Sequence, residues 1–250
     1  MAMIELYHWE PTAESLKILI ALKEKNIPFQ SRYVDLLNLE HHADAFKRVA
    51  DVTRVPVMVQ DGEAFTDSQL TLEYLAEAFE PRLAPADPTG WYDVQAWTAQ
   101  LDQALAGNVR LLGWHTVTSP GMSDAQRADV FERFAKLPQA QVTAGWAQVT
   151  SDAEASEDQL ANARERIGQG VDKIEQALAA SDWLVGGAYS VVDINAFALT
   201  HTLPRLLPEL VNDGRTPKTM AWLNRIGDRP AVKAALAMGK LGGDAYAPLN

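Results

Sequence analysis

The stretch RVPVMVQDGEAFTDSQL, residues 54–70, packs a proline, a turn and a helix start into one short run. Val55, Val57, Val59 and Phe65 are strand-type residues. Asp61-Gly62 lies between two short apolar runs and reads as a hairpin turn. Pro56 has no N–H to give a ladder, so it belongs at the first position of a strand or at a kink. Leu72, Leu75, Ala76 and Phe79 then fall on one helical face. Asp67-Ser68 therefore stands where that helix begins, a place where either residue can serve as N-cap.

Working outward, Ile4, Leu6 and Tyr7 suggest a first strand. A helix from about Ala13 to Lys25 follows, then a second strand in IPFQSRYVDL, residues 27–36, and a short helix around Glu40 to Val49. The order strand, helix, strand, helix, hairpin, helix implies a parallel core with an antiparallel edge. EPRLAPADPTG, residues 80–90, holds three prolines and reads as a linker. After it the strand signal ends. One long helix is expected from Trp91 to about Val117, helical pieces in DAQRADVFERFAKL, and a helix from Ala161 to Ala180. Ser190 and Asp193 form a capping-box pattern, Thr216-Pro217 reads as N-cap plus first helical residue, and Pro230 opens a last helix. The expected organisation is a small α/β unit over 1–80, a linker over 81–90 and an all-helical unit over 91–250.

The 250 residues carry a formal charge of −11, with no basic stripe, which argues against a nucleic-acid partner. There is no cysteine, so disulfides, thiolate metal sites and a cysteine nucleophile are excluded; any thiol must come with a ligand. The five histidines show no metal-site spacing, so no metal is expected. His201 falls on an apolar stripe and reads as a core residue, and most of the tryptophans (Trp91, Trp97, Trp146, Trp183) read the same way. Glu5, Glu10 and Glu14 interrupt the N-terminus before a secretory apolar region forms. Trp183 to Leu203, the most apolar later stretch, contains Asp193 and a Gly-Gly pair and is not a membrane span. A cytoplasmic location is the expectation.

Val55-Pro56, Asp67-Ser68 and GAYSVVDINAFA (187–198), in this order and with the linker between them, resemble the glutathione transferases over the whole chain. SLKILIALKEKN, EHHADAFKRV, YSVVDINAFA and WLNRIGDRPAVK are similar to the bacterial β-etherases of that family, which cleave lignin β-aryl ethers with glutathione. The resemblance implies a thioredoxin-like α/β N-terminal domain with an all-α C-terminal domain. It also implies a cis bond before Pro56, leaving the Val55 amide and carbonyl to pair with an extended tripeptide. Ser68 would meet the γ-glutamyl carboxylate at a helix N-terminus, and Asp67 the ligand's amino group. Both could equally be plain caps, and the two roles are compatible. His42, or Arg54, would meet the glycyl carboxylate. ADVTRVP departs from the usual Asn-Pro-containing loop, so a differently shaped loop is expected there. A dimer is expected, either of identical chains or with a related subunit.

A free thiol titrates near about 8.5, so an enzyme using glutathione must favour the thiolate. In WEPTAESLK, residues 9–17, Ser15 matches the etherase-like serine and is the first candidate donor to sulfur, with Thr12 second. Glu14 stands where that branch tends to have asparagine. An ionised carboxylate cannot donate and repels a thiolate. Glu14 therefore points away, takes the thiol proton, or weakens the site. Trp9, Trp114 and His115 are the expected lining of the acceptor pocket.

Overall fold

The computed structural model describes residues 3–115, 122–136 and 155–240. Four strands, β1 (Ile4–His8), β2 (Phe29–Tyr33), β3 (Val57–Gln60) and β4 (Glu63–Phe65), form one sheet in the order β2-β1-β3-β4. β1 and β2 are parallel; β3 runs antiparallel to both β1 and β4. The hairpin turn is where the residues place it. Asp61 and Gly62 both take positive φ, 55° and 84°, which a two-residue turn of this hand requires. Pro56 immediately precedes β3, and the Val55–Pro56 bond is cis; Glu80–Pro81 is also cis, which the sequence reading did not anticipate.

The second strand is shorter than 27–36. After Tyr33 the Asp35 side chain accepts from the amides of Leu37 and Asn38, at 2.9 and 3.1 Å, and the chain turns out of the ladder. The expected helix over 40–49 is split. A 3₁₀ turn (Glu40–His42) and α2 (Asp44–Lys47) are separated by Ala43 in extended conformation.

Helix α1 (Ala13–Glu24) packs against α3 (Ser68–Ala78), α8 (Val191–Thr200) and α11 (Pro230–Leu236). It is therefore buried on every side, from Ser15 through Leu22, and its apolar residues do not keep to one stripe. The other face of the sheet carries a smaller cluster of Val34, Leu36, Phe46, Ala50 and Val57.

The helix expected from Trp91 starts earlier, inside the predicted linker. Asp87 caps it by accepting from the Gly90 amide at 2.8 Å, and Pro88 takes the first turn. It is also not one regular helix. α4 (Pro88–Leu101) passes through a π-helical segment, Asp102–Ala106, into α5 (Gly107–Gly113). α6 (Asp124–Ala135) follows, then α7 (Glu157–Leu178), which begins ahead of Ala161 in a capping box between Ser156 and Gln159. Gly170 of α7 lies against the π segment, where an added Cβ would stand 2.8 Å from Leu105 Cδ2. α9 (Leu203–Leu206) and α10 (Pro217–Gly227) lead to α11. Thr216 is the N-cap residue of α10, but its hydroxyl accepts from the Asn212 amide at 3.2 Å instead of capping the helix. His201 is buried beside Phe197, as its apolar stripe suggested, and burial pushes its imidazole down to about 4. No helix among the described residues is long and apolar enough to cross a membrane.

Lys25, just past α1, is buried and donates to three backbone carbonyls: Ala76 at 3.3 Å, Pro81 at 2.5 Å, and Phe79. These carbonyls lie at the end of α3, where a helix leaves acceptors without intrahelical partners. Lys25→Met keeps the apolar stem and removes the donors. It is expected to cost about 1–3 kcal/mol of unfolding free energy, read by urea titration. An unchanged midpoint would show that water replaces the ammonium at no cost.

Candidate active site

The loop between β1 and α1, residues 9–12, carries the candidates nearest the helix start. Ser15 is buried, and its Oγ accepts from the Trp9 amide at 3.4 Å, leaving its own hydrogen available. Thr12 is the N-cap residue but its side chain makes no capping bond. The loop is anchored from an unexpected direction. Glu10 is fully buried and accepts from the Tyr33 hydroxyl and from the Lys240 amide, the latter at 2.9 Å. Lys240 Nζ also lies 4.2 Å from the Tyr33 ring centre. Burial, reinforced by Glu10, pushes the Tyr33 phenol far up, so it stays a donor. Sequence reasoning missed Glu10 because its partners are remote along the chain.

Glu14 does not stand free. Its Oε2 lies 2.8 Å from Lys17 Nζ and accepts from the Ser68 hydroxyl. Lys17 is 3 % exposed and Glu14 40 % exposed. Burial acts to raise the Glu14 carboxyl, but the Lys17 charge and the hydrogen bonds from Lys17 and Ser68 outweigh it and hold it below its ordinary value. A carboxylate so held is a weak base, which argues against a proton-accepting role toward a thiol. Lys17, which the sequence reading passed over, also reaches Asn195 Oδ1 of α8 at 3.4 Å.

Asp67 is the N-cap of α3. Its Oδ1 accepts from the amides of Gln69 and Leu70, at 3.0 and 2.9 Å. The cap uses one oxygen, so Asp67 can cap and still offer the other. Asp102, on the π segment, joins the same group. Partial burial pushes its carboxyl up, Lys17 opposes the rise, and the charges of Glu14 and Asp67 add to it. On the neighbouring edge Val55 lies just outside the β1–β3 ladder, and none of the described backbone hydrogen bonds reaches it. Arg54 Nε donates to the Thr66 carbonyl at 3.3 Å, which ties the loop before Pro56 to the residue before Asp67.

The structure thus gathers Glu14, Asp67 and Ser68 into one contact group, and sets Arg54, Val55 and Pro56 along the strand edge beside it. His42 is buried, its ring centre 4.2 Å from that of His41. Burial, with the neighbouring His42 charge, pushes His41 down to about 3. His42 therefore offers a ligand only a small surface. The acceptor residues are less well brought together. Trp9 is half-buried against the smaller cluster, whereas Trp114 is only 6 % exposed at the end of α5. Leu111 and Leu112 of the same helix lie in the core. His115 is half-buried, and its Nε2 has no hydrogen-bond partner among the described residues. Trp146 lies outside the described residues. A groove of about 460 Å³, lined by Met3, Ile4, Phe29 and Phe79 among others, opens at the opposite end of the strands and holds none of these candidates. Among the described residues, no group of three or more His, Asp or Glu could hold a metal ion.

Two family models match the chain: the glutathione S-transferase N-terminal domain over residues 14–78, and the C-terminal domain over residues 137–230. The chain is a glutathione S-transferase. Protein LigF of Sphingobium sp. (strain NBRC 103272 / SYK-6) is 31% identical over 239 residues, covering 92% of this chain and 91% of LigF. The mouse glutathione S-transferase theta-1 is 29% identical over 235 residues, covering 90% of this chain and 82% of its own. The crystal structure of the beta-etherase LigF superposes with a TM-score of 0.81, covering 94% of this chain and 99% of that one. A fungal transferase, URE2P8 of Phanerochaete chrysosporium, solved with oxidized glutathione, shares the fold with a TM-score of 0.74 at 17% identity. The sheet, the proline before β3 and the helical second half of this glutathione S-transferase are the transferase fold.

Proposed function

We propose that this glutathione S-transferase cleaves β-aryl ether bonds of aromatic α-keto ethers. The observation that carries the reading is the 31% identity to a beta-etherase across nearly the full length of both chains. Glutathione lies along the edge before β3, its backbone paired with Val55 N and O as one added rung of sheet. His42 or Arg54 faces the glycyl carboxylate. Asp67 meets the γ-glutamyl ammonium with its free oxygen, and Ser68 meets the carboxylate at the start of α3.

Ser15 donates its hydroxyl hydrogen to the sulfur, and the N-terminal end of α1 adds to the stabilisation of the thiolate. The thiolate attacks the β-carbon, which the adjacent ketone activates. The C–S bond forms as the C–O bond breaks, and the electron pair leaves on the phenolate, which takes a proton from water. Trp9 and His115 border the acceptor. Because Glu14 is paired with Lys17, its charge bears less on the sulfur, and the option that it weakens the site loses its motive.

The test is a substrate panel supplied with glutathione: a β-aryl ether ketone, chlorodinitrobenzene and a haloalkane. The ether ketone is expected to turn over fastest. Turnover of the haloalkane alone would make this chain a dehalogenase-type transferase instead.

The working form is proposed to be a dimer that joins the α/β unit of one chain to the helical unit of the other. Leu70 on α3 and Tyr92 on α4 support this, since both are large apolar side chains left 65 % and 73 % exposed. Light scattering at micromolar concentration is expected to give twice the 27.5 kDa of one chain. A mass of one chain would refute the dimer.

A further inference from the structure

We infer that Glu10 is a positioning residue: through it, the segment after the last helix holds loop 9–12 in the shape that aims the Ser15 hydroxyl at the sulfur. This rests on the thiol-activating role proposed for Ser15. Glu10 is fully buried although it sits in a loop, and two remote elements share its carboxyl. One is β2, whose Tyr33 hydroxyl donates to Oε1. The other is Lys240, whose backbone amide lies 2.9 and 3.2 Å from the two carboxyl oxygens. Residues 239–240 follow shortly after α11, which packs on α1, and Met238 is itself packed against the core. Gly239 shows how closely the two pieces meet. A Cβ there would stand 2.6 Å from Glu10 Oε2 and 3.0 Å from Pro11 Cδ, so only glycine fits without a shift.

The clamp reaches Ser15 through one peptide, because Trp9 lies between two anchored neighbours. On one side His8 Nδ1 is 2.6 Å from the Trp9 carbonyl, and its Nε2 is 2.7 Å from Ser31 Oγ on β2. A carbonyl only accepts, so Nδ1 is the donor. On the other side Glu10 is held by its side chain, and its own carbonyl accepts from the Thr12 amide at 2.7 Å, which closes the turn into α1. The Trp9 amide then meets Ser15 Oγ at 3.4 Å, a long bond that a small loop shift would lose. With that amide gone, the hydroxyl rotates and its hydrogen has no fixed direction. Val55, Asp67 and Ser68, proposed to bind glutathione, belong to the β3 edge and α3 instead. Loosening loop 9–12 therefore acts on the thiolate and leaves binding in place.

The experiment disturbs the clamp from its far end, in the full chain. Gly239→Val is expected to lower glutathione-dependent turnover about 10-fold, within the roughly 100-fold that a small misplacement of a reacting group can cost. The bound thiol should titrate nearer the free value of about 8.5 by ultraviolet titration, with glutathione affinity by calorimetry within about two-fold of the parent. Glu10→Gln keeps the side-chain shape but replaces one accepting oxygen with an amide donor. It should move both readouts the same way by less, and it guards against a folding defect in the valine variant. The deciding measurement is either change made in a Ser15→Ala background, where it should shift the thiol titration no further. A merely structural role would give the same loss with or without the Ser15 hydroxyl. That result, or an unchanged thiol titration in both single variants, would overturn the inference and leave the transferase reading standing. A parent that binds no glutathione would overturn both.

Discussion

Asp193→Ala is expected to lower the unfolding free energy by at least about 3 kcal/mol, because several buried donors lose one acceptor together. Asp193 is fully buried. Its Oδ1 accepts from the Leu184 amide at 3.1 Å and from Trp222 Nε1 at 3.0 Å; its Oδ2 accepts from the amide and hydroxyl of Ser190, both at 3.0 Å. One carboxylate thus closes the start of α8, fixes the loop before it and holds the buried indole of α10. For a chain of this size the melting temperature should fall by about 6–12 °C. Asp193→Asn keeps one oxygen but turns an amide donor toward Ser190, so it should fall between parent and alanine.

Burial pushes the Asp193 carboxyl above its ordinary value even against these donors. A group raised on folding contributes stability that is full below its unfolded value and fades as pH rises through the folded one. Acid unfolding therefore should not begin at Asp193. A melting temperature within a degree of the parent in Asp193→Ala would show that α8 is held by apolar packing alone.

Ser15→Ala should leave glutathione binding nearly intact and reduce turnover about 100-fold, the usual scale for one lost donor to a developing or stabilised anion. The hydroxyl sits at the start of α1 with its oxygen accepting from the Trp9 amide, so the rotamer is held and the hydrogen is directed elsewhere. Without it the bound thiol should titrate nearer the free value of about 8.5, seen by ultraviolet titration of the thiolate. Turnover within a few-fold of the parent would assign the stabilisation to the backbone amides at the start of α1.

The parts of this molecule that were legible in its sequence are local ones. Asp61-Gly62 specifies its own turn, Ser190 and Asp193 lie within one helical turn, and the residues from Arg54 to Ser68 occupy a single hairpin. What was not legible depends on partners far along the chain. Glu14 looked like an isolated charge beside a thiol site because Ser68 is brought to it only by the packing of α3 on α1. Glu10 is sealed in only when residues 239–240 fold back over it. The role of Lys25 appears only when α3 ends beside it. α1 shows the same limit: a helix buried all round gives no polar face to read.

The most direct measurement is product analysis of a β-aryl ether ketone incubated with glutathione in H₂¹⁸O. The proposed displacement predicts one phenol released per glutathione consumed. Glutathione should be joined through sulfur at the β-carbon, with no ¹⁸O in the phenol or at that carbon. Phenol release without loss of glutathione, or ¹⁸O at the β-carbon, would contradict it.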